Sequence, residues 1–306
     1  MSPVEFLQDH SYRTVLLGTC ALGVVAGALG VFPYLRRQSL MSDVVAHASL
    51  PGALAAFLIA VVLFGADGRA MPALIAGATA TGVLAVGAAR LAARSGVRID
   101  AAMAVSLTLF FGFGMLLLRH ISDGPYPGKG GIHDYLFGNA SVLTRADLVT
   151  SLAVGAAALL ATAALWRPFA MRTFDPEHAV SAGVPGKLVD ALMFLCVVVA
   201  TVIGVKAVGI VLMVAFVVTP PAAARQWSRT LRGTVLLAAA IGGAGSAIGA
   251  YLSVALGGLP TGPVISLVLF AALLLSLLLA PGRSVVVRAA ERMRMRRELA
   301  SGRRGS

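Results

Sequence analysis

Residues 234–281 read TVLLAAAIGGAGSAIGAYLSVALGGLPTGPVISLVLFAALLLSLLLAP, without a single charged side chain. A hydrocarbon core about 30 Å thick is crossed by a helix of roughly 20 apolar residues. The stretch therefore divides into two membrane spans, near 233–256 and 263–281. Working outward, charge-free runs recur at Thr14–Leu35, Val44–Ala66 and Met71–Ala89. Further spans fall near 14–35, 43–65, 71–93, 101–118, 147–166, 188–205 and 208–224. The expected fold is an all-α, polytopic transmembrane helix bundle of about eight to nine spans.

Composition supports the same class. Of 306 residues, 58% are hydrophobic and 12% charged, against about 25% charged in soluble domains. Several of the 34 glycines stand at small-xxx-small spacing, as in Gly23, Gly27 and Ala28 or Gly242, Ser246 and Ala250. In lipid such residues let helix backbones approach closely. The chain divides into a transmembrane domain, 1–283, and a basic tail, 284–306. Cys20 and Cys196 both sit in apolar runs, which supports neither a disulfide framework nor a thiolate metal site. The N-terminal residues lack a basic run ahead of a short apolar core, so no cleavable signal peptide is read there.

The net charge of +12 is concentrated in a few connectors and the tail. The clusters are Arg36-Arg37, Arg90/Arg94/Arg98, Arg167/Arg172, Arg225/Arg229/Arg232 and Arg283–Arg304. Positive connectors stay in the cytoplasm, which places all five on that side, with the C-terminus. The tail reads as a topology anchor touching anionic headgroups. No stacking aromatics accompany the arginines, so nucleic-acid binding is set aside.

Two connectors are long. Residues 119–146 are rich in Gly and Pro and fall outside the cell by this count. Residues 167–187 fall inside and carry helix punctuation. Asp175 is an N-cap, Pro176 the first helical residue, Glu177 an acid in the first turn, and Gly183 a stop. The sixth and seventh spans meet at Gly204–Gly209, where one interrupted helix, two spans, or a span plus a re-entrant helix all fit.

Ionisable residues in lipid are functional hypotheses by default. Asp43 and His47 stand four apart at the start of the second span and so share a helix face. Carboxylate plus imidazole suits borderline divalent ions such as zinc or manganese. One pair is too few ligands, whereas two copies meeting at a symmetry axis supply two Asp and two His. Spacing alone leaves a second reading open, in which Asp43 caps the helix start and His47 bonds a neighbouring helix. Pro51-Gly52 is read as an interruption of that helix, tolerable only in protein or along a watery path. Lys206, read as a helix break between the sixth and seventh spans, either lines such a path or snorkels from a span end. Asp190 is expected to pair with a connector arginine. His120, Asp123, His133 and Asp134 in the outer loop read as a solvated loop or a metal-collecting one. No phosphate-cradling G-x-x-x-x-G-K-[ST] occurs, so the chain itself does not use ATP in the usual way. H-E-x-x-H and G-x-S-x-G are also absent, which argues against an intramembrane protease or lipase.

The stretch Leu35–Gly52, LRRQSLMSDVVAHASLPG, resembles the signature of the permease subunits of ABC-type manganese/zinc importers, the ABC-3 metal-ion permease family. The likeness continues in family order through Tyr135-Leu136-Phe137-Gly138 and Phe174-Asp175-Pro176-Glu177-His178-Ala179 leading to Gly183. It then runs through Lys206–Leu212, Thr219–Arg225 and Gly262-Pro263. The resemblance implies the ABC importer fold, related to vitamin B12 and siderophore permeases. It also implies a homodimer, two cytoplasmic ATPase subunits and an extracytoplasmic solute-binding protein. By the same resemblance Asp43 and His47 bind the transported ion, manganese first, then zinc, with ferrous iron also compatible. Asp175, Pro176, Glu177, His178 and Gly183 fall on the family's coupling helix, which docks into the ATPase. Departures are Ser42 for the usual Gly, Ala46 for Ser, and a doubled Pro220-Pro221. Rival readings are a metal-chelate importer, an ATP-independent secondary metal transporter, and a non-transporting scaffold.

Overall fold

A computed structural model of the chain describes residues 10–65, 70–129, 145–256 and 259–280. The outer-loop residues His133 and Asp134, the Tyr135–Gly138 motif and the basic tail lie outside them. Among the described residues every regular element is helical, as apolar runs of this length require, because each backbone N–H and C=O in lipid must be satisfied within its own segment. The helices are α1 (His10–Leu35), α2 (Leu40–Leu58), α3 (Met71–Ala93), α4 (Ile99–Asp123), α5 (Arg145–Ala164), α6 (Trp166–Phe174), α7 (Pro176–Ser181), α8 (Gly186–Val208), α9 (Ile210–Trp227), α10 (Leu231–Ala255) and α11 (Thr261–Leu279). Seven of these are long and apolar enough to cross a membrane, and α5 with α6 forms an eighth candidate bent by 72°.

Packing follows the small residues. α1 lies along α10, where a Cβ on Gly27 would come within 3.0 Å of the Ala238 carbonyl carbon. A Cβ on Gly23 would collide with the Gly242 carbonyl and the Ser246 hydroxyl. The two small-residue patterns read from the sequence are thus the two sides of one contact. α2 packs against α3 and α4 on one side and meets α8 and α9 on the other. Val45, Ala46, Ala48 and Leu50 on successive faces are all fully buried, so α2 runs through the centre of the bundle.

Three expectations are corrected. Pro51-Gly52 does not interrupt its helix: α2 continues to Leu58 and then widens into a π-helical turn over Ile59–Leu63. Proline removes only its own N–H, and here Pro51 and Gly52 are buried against neighbouring helices, which hold the helix together. The break between the sixth and seventh spans is not at Lys206, which belongs to the last turns of α8, but at Gly209. Gly209 has φ 89° and ψ 157°, a conformation essentially restricted to glycine. α9 starts at the next residue, so two separate helices meet there. The span read as 147–166 ends at Ala164, and the connector opens with an additional short helix, α6.

Four of the five arginine clusters gather at one end of the bundle. Arg36 and Arg172 both reach Asp190. Arg90 lies over the Phe194 ring at 5.4 Å, and Arg232 over the Trp166 ring at 6.0 Å. The fifth cluster, in the tail, is outside the described residues.

Candidate functional site

α2 opens directly after a tight turn. Arg37 adopts φ 56°, the Gln38 N–H donates to the Pro33 carbonyl at 2.8 Å, and the Met41 N–H donates to the Gln38 carbonyl at 3.0 Å. The helix then begins at Leu40, which leaves Asp43 in its first turn and His47 one turn further.

The two side chains meet. His47 Nδ1 lies 3.0 Å from Asp43 Oδ1 and 3.0 Å from the Asp43 main-chain oxygen. A proton on Nδ1 is held between these oxygens, which leaves the Nε2 lone pair as the imidazole's free donor. Hydrogen bonding of one ring nitrogen to a carboxylate is the arrangement that commonly orients a metal-binding histidine. The His47 ring is also fixed edge-on against Phe111 of α4, with centroids 4.9 Å apart and an interplanar angle of 76°. The side chains stay 15% and 27% exposed for His47 and Asp43, so both remain accessible in a single protomer. The capping alternative does not describe this geometry: Asp43's carboxylate engages His47, and His47 bonds its own helix rather than a neighbour.

Among the described residues, no group of three or more His, Cys, Asp or Glu is placed to hold a metal ion. One chain therefore presents two side-chain ligands at Asp43/His47. Ser42, the departure from the family's glycine, is 1% exposed, and its hydroxyl has no hydrogen-bond partner. Ala46 is fully buried. Neither small side chain displaces the Asp43/His47 face.

One turn beyond His47, α2 crosses α3 at two facing glycines. A Cβ on Gly52 would stand 2.6 Å from the Gly77 carbonyl carbon, and one on Gly77 would stand 3.1 Å from that of Gly52. Thr81 Oγ1 donates to the Ala48 carbonyl at 2.6 Å, bridging the helices immediately below. Pro51 packs against α4, where a Cβ on Gly114 would meet its Cδ at 2.9 Å. Pro51 and Gly52 thus brace the helix that carries Asp43 and His47.

The connector helix is formed as its residues dictate. The Asp175 carboxylate accepts from the His178 N–H at 2.9 Å, and Pro176 is the first helical residue. At the other end Gly183 takes φ 74°. Its N–H donates to the Val180 carbonyl at 3.0 Å, and the Val184 N–H donates to Ala179 at 2.9 Å, the paired bonds of a Schellman stop. Ala179 is buried, whereas Asp175, Pro176, Glu177, His178, Val180 and Gly183 are exposed. A six-residue helix with both ends capped and one face free is a preformed projection at the arginine-rich end.

Asp190 pairs with Arg172 as expected, but also with Arg36, 154 residues away. No local sequence pattern announces that second partner. His120 Nε2 and the Tyr126 hydroxyl lie 2.9 Å apart at the C-terminal end of α4. Lys129 donates to the Ser122 and Gly124 carbonyls at 2.8 Å each, so this part of the outer loop is folded back on the helix end.

A bundle of apolar helices long enough to cross a bilayer, with an acid–imidazole pair on its central helix and a capped projection at its basic end, is the architecture of a multi-pass membrane protein. The chain belongs to the ABC 3 transport family, which matches over residues 8–280. It is 35% identical, over 95% of its length, to the manganese transport system membrane protein MntC of Bacillus subtilis, and spans 66% of that protein. It is 34% identical to the zinc transport system membrane protein TroC of Treponema pallidum, covering 95% of this chain and 96% of TroC. Among solved structures, PsaBC from Streptococcus pneumoniae in complex with Fab superposes with a TM-score of 0.81 at 26% identity, covering 92% of this chain and 98% of the other. An ABC transporter assigned to the metal-chelate type, 18% identical with a TM-score of 0.63, shares the fold.

Proposed function

We propose that the chain is the membrane-spanning permease subunit of an ABC importer for a divalent transition-metal ion, manganese first and zinc next, with ferrous iron compatible. The observation that carries this is the Asp43/His47 pair on the buried central helix of an ABC 3 family chain. Two of the similar proteins are named for manganese or zinc transport, in line with what the ligand chemistry accepts.

On this reading two protomers meet so that both Asp43/His47 pairs face one path. Ionised Asp43 and neutral His47 replace part of the ion's hydration shell, and the ion's charge offsets the cost of carboxylates in lipid. The gathered arginines set that end in the cytoplasm of a bacterial cell membrane, with the C-terminus on the same side. The exposed face of α7, including Asp175, Pro176, Glu177, His178 and Gly183, docks into a separate ATPase subunit, which hydrolyses ATP and alternates the access of the site. An extracytoplasmic solute-binding protein delivers the ion to the other face. Lys206 sits two residues before the end of α8, where the path opens toward that face.

Uptake of manganese or zinc in cells carrying Asp43→Ala or His47→Ala is the test. Both variants are expected to lower uptake at least tenfold at normal expression, and near-normal uptake overturns the site. Elemental analysis of cells with and without the chain, on limiting manganese or limiting zinc, identifies the ion. Uptake that persists without an ATPase subunit points instead to a secondary transporter. A chelate importer needs no direct ion ligands, so the pair counts against it.

A further inference from the structure

Asp190 lies one turn into α8, as the one acidic residue of that helix, and its carboxylate is the meeting point of three elements. Arg172 of α6 grips it with two nitrogens: Nη2 on Oδ2, and Nε at 3.3 Å from Oδ1. Arg36, at the end of α1, donates through Nη1 to Oδ1 at 2.9 Å. The side chains are 14–22% exposed, so water screens this cluster only in part.

Each arginine leads somewhere. Arg172 Nη1 also donates to the Pro176 carbonyl at 3.3 Å, the first residue of α7. Three residues before Arg172, on the same face of α6, Phe169 is fully buried with its ring edge-on to Phe32 of α1 at 5.5 Å. α6 is thus fastened to the bundle by aromatic packing of Trp166 and Phe169 on Phe32 and by the ionic contact of Arg172, with the exposed projection of α7 immediately behind it. Arg36 leads the other way, into the bonded turn that starts α2, seven residues before Asp43. Gln38 and Met41 from that turn share a small cavity with Arg36, Arg90 and Asp190. Two other ion pairs, Arg98–Asp100 and Arg119–Asp123, each lie at a single helix end.

We propose that Asp190 is a positioning residue that relays displacement of α7 to α2, through Arg172 on one side and Arg36 on the other. The carboxylate is bonded both to the helix ahead of the projection and to the turn ahead of Asp43. This rests on the reading of α7 as the ATPase dock. Neutralising Asp190 leaves two guanidinium groups facing each other without their shared counter-charge, and the projection then moves without pulling the turn.

The test uses the whole transporter, with permease, ATPase subunit and binding protein, in proteoliposomes. Asp190→Asn is expected to co-purify with the ATPase subunit as the parent does and to hydrolyse ATP within twofold of it, while manganese imported per ATP falls at least tenfold. Asp190→Glu should restore much of that ratio. Arg172→Gln should mimic Asp190→Asn, and the double variant should be no worse than the poorer single. An unchanged ratio for Asp190→Asn, or uptake and hydrolysis falling together with the folded fraction, overturns the relay. A second measurement is independent of the ion. Spin labels on Leu40→Cys, in a background with Cys20 and Cys196 replaced by serine, report the distance between the two α2 starts with and without ATP. A nucleotide-dependent change in the parent that vanishes in Asp190→Asn supports the relay even if the metal site is wrong. The same change in both chains, or none in the parent, refutes it.

Discussion

Replacing Gly52 by alanine adds one methyl group where α2 and α3 cross. That methyl would overlap the Gly77 carbonyl oxygen and the Thr81 hydroxyl and stand 2.6 Å from the Gly77 carbonyl carbon, where ordinary contact begins at 3.4 Å, so the helices must part by more than about 0.8 Å. Forced overpacking of this kind costs about 1–3 kcal/mol. Parting also stretches the 2.6 Å bond from Thr81 Oγ1 to the Ala48 carbonyl, and interhelical bonds in membranes contribute about 0.6 kcal/mol on average. Against this, alanine in place of glycine favours the helix by about 1 kcal/mol. The net expectation is a destabilisation of about 1–3 kcal/mol.

Gly87→Ala is the internal control, because a Cβ at Gly87 in α3 meets nothing within 4 Å. It should be neutral or slightly stabilising by the same propensity term. Thermal unfolding of both variants in one detergent gives the comparison. Gly52→Ala should melt several degrees below the parent, and Gly87→Ala at or above it. Gly77→Ala should also be destabilising, yet the Gly52→Ala/Gly77→Ala double should lose less than the two singles together, since helices already parted accept the second methyl more easily. Equal melting of Gly52→Ala and Gly87→Ala would refute the close crossing, and with it the bracing of the Asp43/His47 helix.

Ser42→Ala removes a buried hydroxyl that has no partner. It should leave stability unchanged or raise it by about 1 kcal/mol, measured by the same melts, with uptake retained. Asp175→Ala removes the bond to the His178 N–H and should cost the connector helix about 1 kcal/mol. Weaker co-purification of an ATPase subunit is the expected readout, with Asp175→Asn close to the parent. Gly209→Ala forces a side chain into a glycine conformation at the α8–α9 junction, at about 1–3 kcal/mol. It should lower the melting temperature, whereas Gly112→Ala, where a Cβ meets nothing within 4 Å, should not.

Hydropathy made the spans legible because lipid imposes helix length directly. Small-residue spacing marked Gly23, Gly27 and Gly242 as contact residues, but pairing α1 with α10 is a long-range outcome that spacing does not encode. The caps of α7 were legible at Asp175 and Gly183 because capping is local chemistry. Pro51 was misread because a missing N–H says nothing about the neighbours that keep α2 intact. α6 was hidden because Arg167, Pro168 and Arg172 resemble a loop, and nothing in WRPFAMRTF marks Phe169 as the side chain that anchors the helix. Arg36 as a partner of Asp190 left no trace in the sequence. Both residues were read correctly as lying near the basic end, but which charges meet there is decided by how α1, α6 and α8 converge.

In lipid, apolar burial hardly distinguishes one helix neighbour from another, since acyl chains solvate leucine as well as protein does. Shape and polar bonds must therefore hold each helix in its place, and here they are unevenly distributed along α2. Its middle is locked to α3 by the facing glycines and Thr81, and to α4 through Pro51. Its start is held through the turn at Arg36, by an ionic contact with Asp190. At about 1.5 Å per residue, His47 lies only about 10 Å from the beginning of the helix, between the locked crossing and the ionic hold. A pull on the ionic contact at the start would therefore act on the short segment before the locked crossing, and the two side chains that would meet an ion are carried on it.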